Sequence, residues 1–204
     1  MKAMHQLTNC SNMLTFNPTG HVYELDGKVL PSVTQVLNVV PPTFFCWATV
    51  LAEAQERGTH VHSATAYDDE GTLDEASVRP EIMPYCQAWR KFKVQTGFVP
   101  RVIEKIGANR KLGYAGTLDR IGTVGKRTWL VDIKTGVPDA RTCLQTAAYA
   151  ELDEIKAEYP ALDRYSVELR DDGTFRMSEQ FKSATDFRVF QAYLAVYNFE
   201  RGRK

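Results

Sequence analysis

Three consecutive strand candidates followed by a long helical stretch constrain the fold of this chain more than any other feature. Apolar residues alternate along each strand candidate, and a turn at Gly125-Lys126 joins the last two. The predicted order is helix, three strands, helix, two strands and helix, at residues 80–96, 99–107, 114–124, 128–133, 139–158, 164–170, 174–177 and 183–200. This alternation predicts one α/β domain.

An elaboration precedes this domain. Residues 21–30 alternate apolar and polar side chains around Asp26-Gly27, which predicts a hairpin. Ser32 and Gln35 have capping-box spacing, so we expect a short helix to begin there. Helical patterns follow at 44–57 and 59–67, interrupted by Gly58, and residues 68–81 are predicted to form a solvated acidic loop. We expect a single domain over 1–204, with 1–56 as the elaboration and 57–204 as the core.

Composition excludes several classes of protein. The 204 residues are 44% hydrophobic with 25 basic and 25 acidic side chains, and no apolar run approaches the roughly 20 residues that span a bilayer. We expect no signal peptide, no membrane partner and a cytoplasmic location. The cysteines Cys10, Cys46, Cys86 and Cys143 form no C-x-x-C pair and are expected to be reduced thiols.

Acidic residues on two neighbouring strands carry the chemistry. Asp132 and Lys134 point to the same face of their strand, because strand side chains alternate. In a hairpin with the preceding strand, Asp119 lies close to Asp132, and two such carboxylates repel unless a cation sits between them. Oxygen ligands of this kind favour Mg²⁺ or Mn²⁺. The alternative is a surface Asp132–Lys134 ion pair. Gly116 and Gly122 leave the backbone open to a ligand.

Residues beyond these strands extend the candidate site. Lys134 is placed to orient a water or offset phosphate charge. Gln145 and Tyr149 share a helix face, where they position the lysine and the substrate or simply form an ordinary amphipathic helix. His60 and His62 diverge on a helix, so at most one binds a metal. Glu104 is either a third acid at the metal or a surface residue.

Charge favours a local anionic partner. Residues 101–134 contain eight basic and three acidic side chains, although the whole chain is neutral. Arg110, Lys111 and Arg120 are the candidate contacts to a phosphate backbone, with Tyr149 stacking on or bonding to a nucleotide. A solvated charged surface remains the alternative.

Together these residues resemble the RecB-like branch of the PD-(D/E)XK nuclease superfamily. Its pattern is similar to Gly58-Thr-His-Val-His62, Gly116-Thr-Leu-Asp119, Asp132-Ile-Lys134 and Gln145-Thr-Ala-Ala-Tyr149, in that order. Tyr23-Glu-Leu-Asp-Gly27, Pro31-Ser-Val-Thr34 and Trp47-Ala48 also look like the N-terminal part of small phage nucleases, and the second of these is similar to mitochondrial genome maintenance exonucleases. The resemblance implies a restriction-endonuclease-like core, a mixed sheet flanked by helices in αβββαβ order.

The resemblance also implies roles. His62, Asp119, Asp132 and the Ile133 carbonyl become metal ligands, Glu104 a less secure one, and Lys134 the catalytic lysine supported by Gln145 and Tyr149. Some relatives hold an iron–sulfur cluster with three cysteines after the last motif. No cysteine follows Cys143 here, so we expect no cluster. A phosphate-binding Gly-x-x-x-x-Gly-Lys loop is absent, so no nucleotide cofactor is expected.

The resulting expectation is a Mg²⁺- or Mn²⁺-dependent DNA exonuclease acting in phage-type recombination, repair or replication, in the host cytoplasm if phage-encoded. Its partners would be linear single- or double-stranded DNA and a recombination protein. The alternatives are a structure-selective or nicking endonuclease, a non-catalytic DNA-binding subunit, and a structural subunit of a larger recombination or packaging complex.

Overall fold

The computed structural model describes residues 13–40, 48–136 and 139–202. An antiparallel sheet of β1 (Leu14–Asn17), β2 (Val22–Leu25) and β3 (Lys28–Leu30) forms the N-terminal part. Asp26 and Gly27 both have positive φ, 52° and 80°, as a two-residue hairpin turn requires. The predicted hairpin is confirmed.

A five-stranded mixed sheet forms the centre, in the order β4-β5-β6-β7-β8. The β6–β7 pair is parallel and the other pairs are antiparallel. The strands are β4 (Val99–Asn109), β5 (Tyr114–Val124), β6 (Arg127–Lys134), β7 (Asp163–Leu169) and β8 (Phe175–Met177). The predicted fold class, a mixed α/β sheet flanked by helices with an N-terminal hairpin, is confirmed.

Helices cover both faces of this sheet. They are α1 (Val33–Leu37), α2 (Ala48–Glu70), α3 (Met83–Thr96), α4 (Thr142–Ala150), α5 (Asp153–Glu158) and α6 (Asp186–Arg201). On one face Trp89 of α3 and Val61 of α2 belong to the same core as Ile133. On the other, Leu144 and Phe190 pack with Leu130. Each helix therefore buries its apolar stripe against one side of the sheet.

The capping box of α1 is present as predicted, with Ser32 and Gln35 each accepting from the other's backbone N–H. The predicted break at Gly58 is wrong, because α2 continues through it and across residues 56 and 57 to Glu70. An interior glycine costs a helix only about 1 kcal/mol, which tertiary packing offsets. The first residues of that predicted helix, 44–47, lie outside the described residues, as do Cys10, Cys46 and Trp47.

Two other predictions need correction. The acidic segment is not a solvated loop throughout: Asp68 and Asp69 belong to α2, and the Asp69 side chain has no exposed surface. The helix over 139–158 is not continuous, because Leu152 is extended (φ −66°, ψ 137°) and separates α4 from α5. Leu152 is fully buried in the core, and this contact outweighs helical continuity. Over the described residues, no helix has the length and apolarity to cross a bilayer.

Candidate active site

Three side chains from three different elements meet beside the central sheet. His62 comes from α2, Glu104 from β4 and Asp119 from β5. His62 Nδ1 lies 3.4 Å from Asp119 Oδ1 and 3.6 Å from Glu104 Oε1. One ligand atom from each residue lies within 4.8 Å of the other two. A nitrogen and two carboxylate oxygens at this spacing form a donor set suited to a divalent cation.

The β-strands part at this site. The β4–β5 ladder skips Glu104 and Asp119, and the β5–β6 ladder ends at the pair Arg120 and Val131. Glu104 has a φ of 48°, which is uncommon for a residue other than glycine. Asp119 Oδ2 accepts the Ile133 N–H at 2.6 Å, so a carboxylate takes the place of a ladder carbonyl. The irregular backbone thus directs both acids toward His62.

His62 is fixed at both ring nitrogens. Its Nε2 lies 3.1 Å from the Ile133 carbonyl, which leaves Nδ1 toward the acids. Burial lowers the pKa of His62, but the charges of Asp119 and Glu104 outweigh it and raise that pKa to about 9. A histidine that donates one N–H to a carbonyl presents the other nitrogen to a metal. The Ile133 carbonyl therefore orients the histidine in this arrangement.

The acids at the site differ in their surroundings. Burial raises the pKa of Asp119, His62 opposes the rise, and the charges of Asp132 and Glu104 add to it, giving about 6. Asp132 is 1% exposed and lies outside the three-residue group. Lys134 Nζ lies 2.9 Å from Asp132 Oδ2, but the geometry leaves both Asp132 oxygens without a hydrogen bond among the described residues. A buried carboxylate with unused acceptors is expensive unless it serves a cation or substrate.

A hydrogen-bonded chain continues from Lys134 into α4. Lys134 Nζ donates to Gln145 Oε1 at 3.0 Å, and Gln145 Nε2 donates to the Tyr149 hydroxyl at 3.0 Å. Burial lowers the pKa of Lys134, yet the charges of Asp132 and Asp119 outweigh it and raise that pKa. Burial raises the pKa of Tyr149 well above its usual value. Lys134 is therefore an ammonium and Tyr149 a neutral phenol.

The two glycines near Asp119 serve the packing of the protein itself. A Cβ at Gly116 would lie 2.7 Å from Tyr149 Cε1, and one at Gly122 would lie 2.5 Å from Phe98 Cζ. The expectation that Gly122 admits a ligand is therefore wrong, because the Phe98 ring fills the space, whereas Gly116 lines a cleft together with Asp119 and Tyr149. The absence of a side chain at Gly116 lets the Tyr149 ring pack closely against β5.

Arg120 is not available to DNA, contrary to prediction. Its side chain has no exposed surface. Its guanidinium donates to Asp69 Oδ2 at 2.7 Å, Glu104 Oε1 at 2.8 Å, the Asp119 carbonyl at 2.7 Å and Thr65 Oγ1 at 3.2 Å. A buried guanidinium requires such partners. Arg120 therefore supports the site from behind.

Ion pairs within the protein occupy a second residue of the predicted basic contact to DNA. Arg110 forms ion pairs with Asp153 at 3.2 Å and Glu154 at 2.7 Å. Lys111 is exposed in the turn between β4 and β5, outside the group formed by His62, Glu104 and Asp119. Arg110 and Arg120 therefore do not contribute to a free positive surface.

Thr65 and Asp69 are supporting residues that the sequence interpretation missed. They follow His62 by three and seven residues, so they lie on the same face of α2. That spacing is visible in the sequence once α2 is taken to continue to Glu70. Tyr23 was also missed as a site neighbour; its hydroxyl lies 2.7 Å from Thr117 Oγ1 on β5. Its contact depends on how β2 packs against β5, which local spacing does not reveal.

A cleft of about 990 Å³ opens over the site, between the N-terminal sheet and α2. Its lining includes His62, Glu104, Asp119 and Tyr149, together with the aromatic residues Phe16 and Tyr67. Tyr67 is 53% exposed and available for stacking. The acids and His62 thus face an open cleft at the upper end of the size range of ligand sites.

No protein-family model and no curated protein matches this sequence. The solved structures that are similar to it include two of one exonuclease. An alkaline exonuclease, LHK-Exo from Laribacter hongkongensis, has a TM-score of 0.41 and 13% identity, with 84% of this chain and 87% of that chain covered. LHK-Exo in complex with dAMP has a TM-score of 0.38 and 16% identity, covering 85% and 88%. TM-scores this low assign no function, so the geometry of the site has to carry any assignment.

Proposed function

We propose that this protein is a divalent-metal-dependent deoxyribonuclease that hydrolyses phosphodiester bonds from DNA ends. The observation that carries the proposal is the meeting of His62, Glu104 and Asp119 beside a buried Asp132–Lys134 pair. A surface ion pair would not explain an Asp132 carboxylate that is 1% exposed with unused acceptors. It also would not explain why Lys134 is anchored through Gln145 to Tyr149.

The donor set fits Mg²⁺ or Mn²⁺. His62 Nδ1, Glu104 and Asp119 would hold the ion, and we propose Asp132, whose oxygens form no hydrogen bond among the described residues, as a further ligand. A divalent cation in such a site lowers the pKa of a water and polarises a phosphate oxygen. Calcium prefers a larger and more flexible oxygen shell, so we expect it to support binding without efficient cleavage.

The side chains of the protein supply positioning and charge. The ammonium of Lys134, held by Asp132 and Gln145, stabilises the negative charge that develops on the phosphate. It also donates a hydrogen bond that orients the attacking water. Its raised pKa favours this role over that of a base, because an ammonium has no lone pair to accept a proton. Tyr149 accepts a hydrogen bond from Gln145 and so keeps it oriented. It also lines the cleft, where it would face the DNA strand.

The matched histidines of α2 test the metal site. His60 lies two residues before His62 and contacts Glu56 at 3.4 Å on the surface. We expect His62→Ala to lose Mn²⁺ affinity and cleavage, with His60→Ala close to the wild type. Chelation should abolish cleavage, and Mg²⁺ or Mn²⁺ should restore it. Full activity in excess chelator, or equal loss in both variants, would remove the proposed function.

Linear and covalently closed DNA of the same sequence test whether cleavage starts at DNA ends. Digestion of the linear form with resistance of the closed circle is expected of an exonuclease. Nicking of the circle would identify an endonuclease, the second candidate. Tight DNA binding without release of nucleotides in any metal would leave a non-catalytic or structural subunit.

The assignment to a nuclease superfamily and branch follows from the order of the four sequence motifs. Their order in Gly58–His62, Gly116–Asp119, Asp132–Lys134 and Gln145–Tyr149 supports membership of the PD-(D/E)XK superfamily and its RecB-like branch. We include in the proposal that the whole chain acts as one nuclease domain, that it functions in the cytoplasm in phage-type recombination, repair or replication, and that it works with a recombination partner.

A further inference from the structure

A row of three charged residues crosses one half of the central sheet. Lys134 of β6 is paired in register with Glu168 of β7, and Glu168 is paired with Arg176 of β8. Residues paired across neighbouring strands carry their side chains on the same face of a sheet, and the strands lie about 5 Å apart. The side chain of Arg176 is therefore on the same face as that of Lys134, and their backbones are about 10 Å apart.

Open space follows this row of residues. A small cavity of about 100 Å³ is lined by Lys134 and shares Thr34 with the cleft. It shares Asp139 with a cavity of about 380 Å³ along β7 and β8, whose lining includes Glu168 and Arg176. We call this larger cavity the β8 groove. The three spaces adjoin one another, in the order cleft, small cavity and β8 groove.

Arg176 supplies an unpaired positive charge along this path. The other lysines and arginines that line the three cavities each form an ion pair with an acidic residue, and these pairs are Lys134 with Asp132, Arg141 with Asp139 and Arg170 with Glu168. Arg176 is exposed and forms no ion pair among the described residues. Since Arg170 offsets the charge of Glu168, the guanidinium of Arg176 is left to bind an anion.

The spacing in this row suits the backbone of a DNA strand. A guanidinium donates two parallel N–H groups to phosphate oxygens and keeps its charge at neutral pH. In helical DNA the phosphates of one strand advance by about 3.4 Å per nucleotide, so 10 Å is spanned by at most about three nucleotides. A strand whose phosphate lies at Lys134 therefore brings a neighbouring phosphate to Arg176.

We propose that Arg176 binds a backbone phosphate of DNA within about three nucleotides of the phosphate at Lys134. This contact takes the place of the predicted contacts by Arg110 and Arg120, which the protein uses internally. The position of the strand rests on the proposed nuclease function, but binding at Arg176 can be measured without cleavage.

An arginine on the opposite edge of the sheet provides a matched control. Arg101 lies on the edge strand β4, is also exposed and forms no ion pair among the described residues. Arg176→Gln and Arg101→Gln each remove one exposed positive charge, so they change the net charge equally. Fluorescence anisotropy in Ca²⁺ follows binding of a labelled strand of about ten nucleotides as salt is raised. A single deoxynucleotide, whose one phosphate cannot bridge Lys134 and Arg176, is measured as a competitor.

We expect Arg176→Gln to bind the strand about tenfold more weakly than the wild type at about 50 mM salt. The difference should fall to about threefold at about 200 mM, because the variant releases about one counterion fewer. The loss should be the same for strands of different sequence, because a phosphate contact does not read bases. Arg101→Gln should bind the strand like the wild type, and the single nucleotide should compete equally well in all three proteins.

An equal loss in Arg101→Gln, or an unchanged salt dependence in Arg176→Gln, would overturn the proposal. An equally large loss of affinity for the single nucleotide would also overturn it, since that ligand does not reach the β8 groove. The proposed nuclease function fails separately. The expected binding pattern in a protein that cuts no DNA in Mg²⁺ or Mn²⁺ would keep the contact at Arg176 and remove the nuclease, whereas cleavage by a protein without this pattern would do the reverse.

Discussion

The guanidinium of Arg120 donates a hydrogen bond to Glu104 at 2.8 Å from a position with no exposed surface. Glu104 has a positive φ and stands where the β4–β5 ladder is interrupted. Such a conformation costs about 1–2 kcal/mol and persists only where its surroundings hold it. Arg120, itself held by Asp69, is the group that holds the Glu104 carboxylate toward His62. Arg120 is therefore a positioning residue for the candidate metal centre.

Arg120→Lys tests this positioning role. The change keeps the charge but loses the planar fork that bonds to Asp69 and Glu104 together. We expect Mn²⁺ affinity to fall about 10–100-fold, the usual effect of losing a group that orients a metal ligand. The control is Arg90→Lys, where the arginine joins Asp68 and Glu75 but not Glu104. Calorimetric titration of both variants with Mn²⁺ measures this affinity. An equal loss of Mn²⁺ affinity in both variants would show that Arg120 has only a general structural role.

The sequence predicted much of the fold because the strands and their turns are local features. Tyr114–Val124 was predicted at its observed bounds, and the turn at Asp26-Gly27 depends on two adjacent residues. Asp132 and Lys134 were placed on one face by alternation alone, and the structure has them 2.9 Å apart. These relationships involve short spacings that a strand or turn fixes.

Long-range contacts escaped prediction for physical reasons. The sequence predicts a DNA contact for the basic Arg120, since its partner Asp69 falls in a segment that is predicted to be a solvated loop. Only the continuation of α2 through Gly58 brings Asp69 to within 2.7 Å of it. The position of Asp132 outside the three-residue group depends on where β5 and β6 part, which no local spacing encodes.

Metal binding should release a proton near neutral pH. The pKa of His62 is raised to about 9 in the metal-free protein, so its imidazole is protonated at pH 7 and must lose a proton to become a ligand. Apparent Mn²⁺ affinity should therefore rise about tenfold per pH unit from pH 7 and level off above about 9. Below about pH 6, protonation of Asp119 should make the dependence steeper.

Calorimetry in two buffers of different ionisation enthalpy measures this proton directly. We expect about one proton released at pH 7 by the wild type and close to none by His62→Gln, which also binds more weakly. His60→Gln is the control, since His60 lies on the surface beside Glu56. An equal proton release in His62→Gln would show that another group supplies it.

Gly116→Ala should disturb the chain from Lys134 to Tyr149. The new Cβ would lie 2.7 Å from Tyr149 Cε1 and 3.2 Å from Val33 Cγ2, so the ring must shift and Gln145 loses its partner. Overpacking of this kind costs about 1–3 kcal/mol. We expect a lower melting temperature and slower cleavage at saturating DNA.

We expect Gly58→Ala, the same change at another glycine, to have the opposite effect on stability. A Cβ at Gly58 would meet Thr135 Oγ1 at an ordinary 3.7 Å, and alanine is favoured over glycine in a helix by about 1 kcal/mol. Its melting temperature should rise. Thermal melts of both variants decide the matter, and a stable Gly116→Ala protein with normal cleavage would separate Tyr149 from the function of Lys134.

Lys134 gives the strongest test of the proposed chemistry. Lys134→Ala should slow cleavage by roughly 10²–10⁴-fold, the range expected for a group that handles charge or a proton in the transition state. Lys134→Arg should not restore the rate, because a guanidinium is broader than an ammonium and does not fit between Asp132 and Gln145. Both variants should still bind DNA, since the cleft residues are unchanged.

The same substitution has a consequence for stability that distinguishes a catalytic lysine from a surface ion pair. An exposed pair contributes about 0–1 kcal/mol, whereas removing one partner of a buried pair costs about 3–5 kcal/mol. Asp132 is 1% exposed, so metal-free Lys134→Ala should melt well below the wild type. Bound Mn²⁺ should restore much of that difference by compensating the Asp132 charge. Thermal melts with and without Mn²⁺, paired with single-turnover cleavage rates on the same preparations, check both effects. A variant that melts and cuts like the wild type would remove Lys134 from the mechanism.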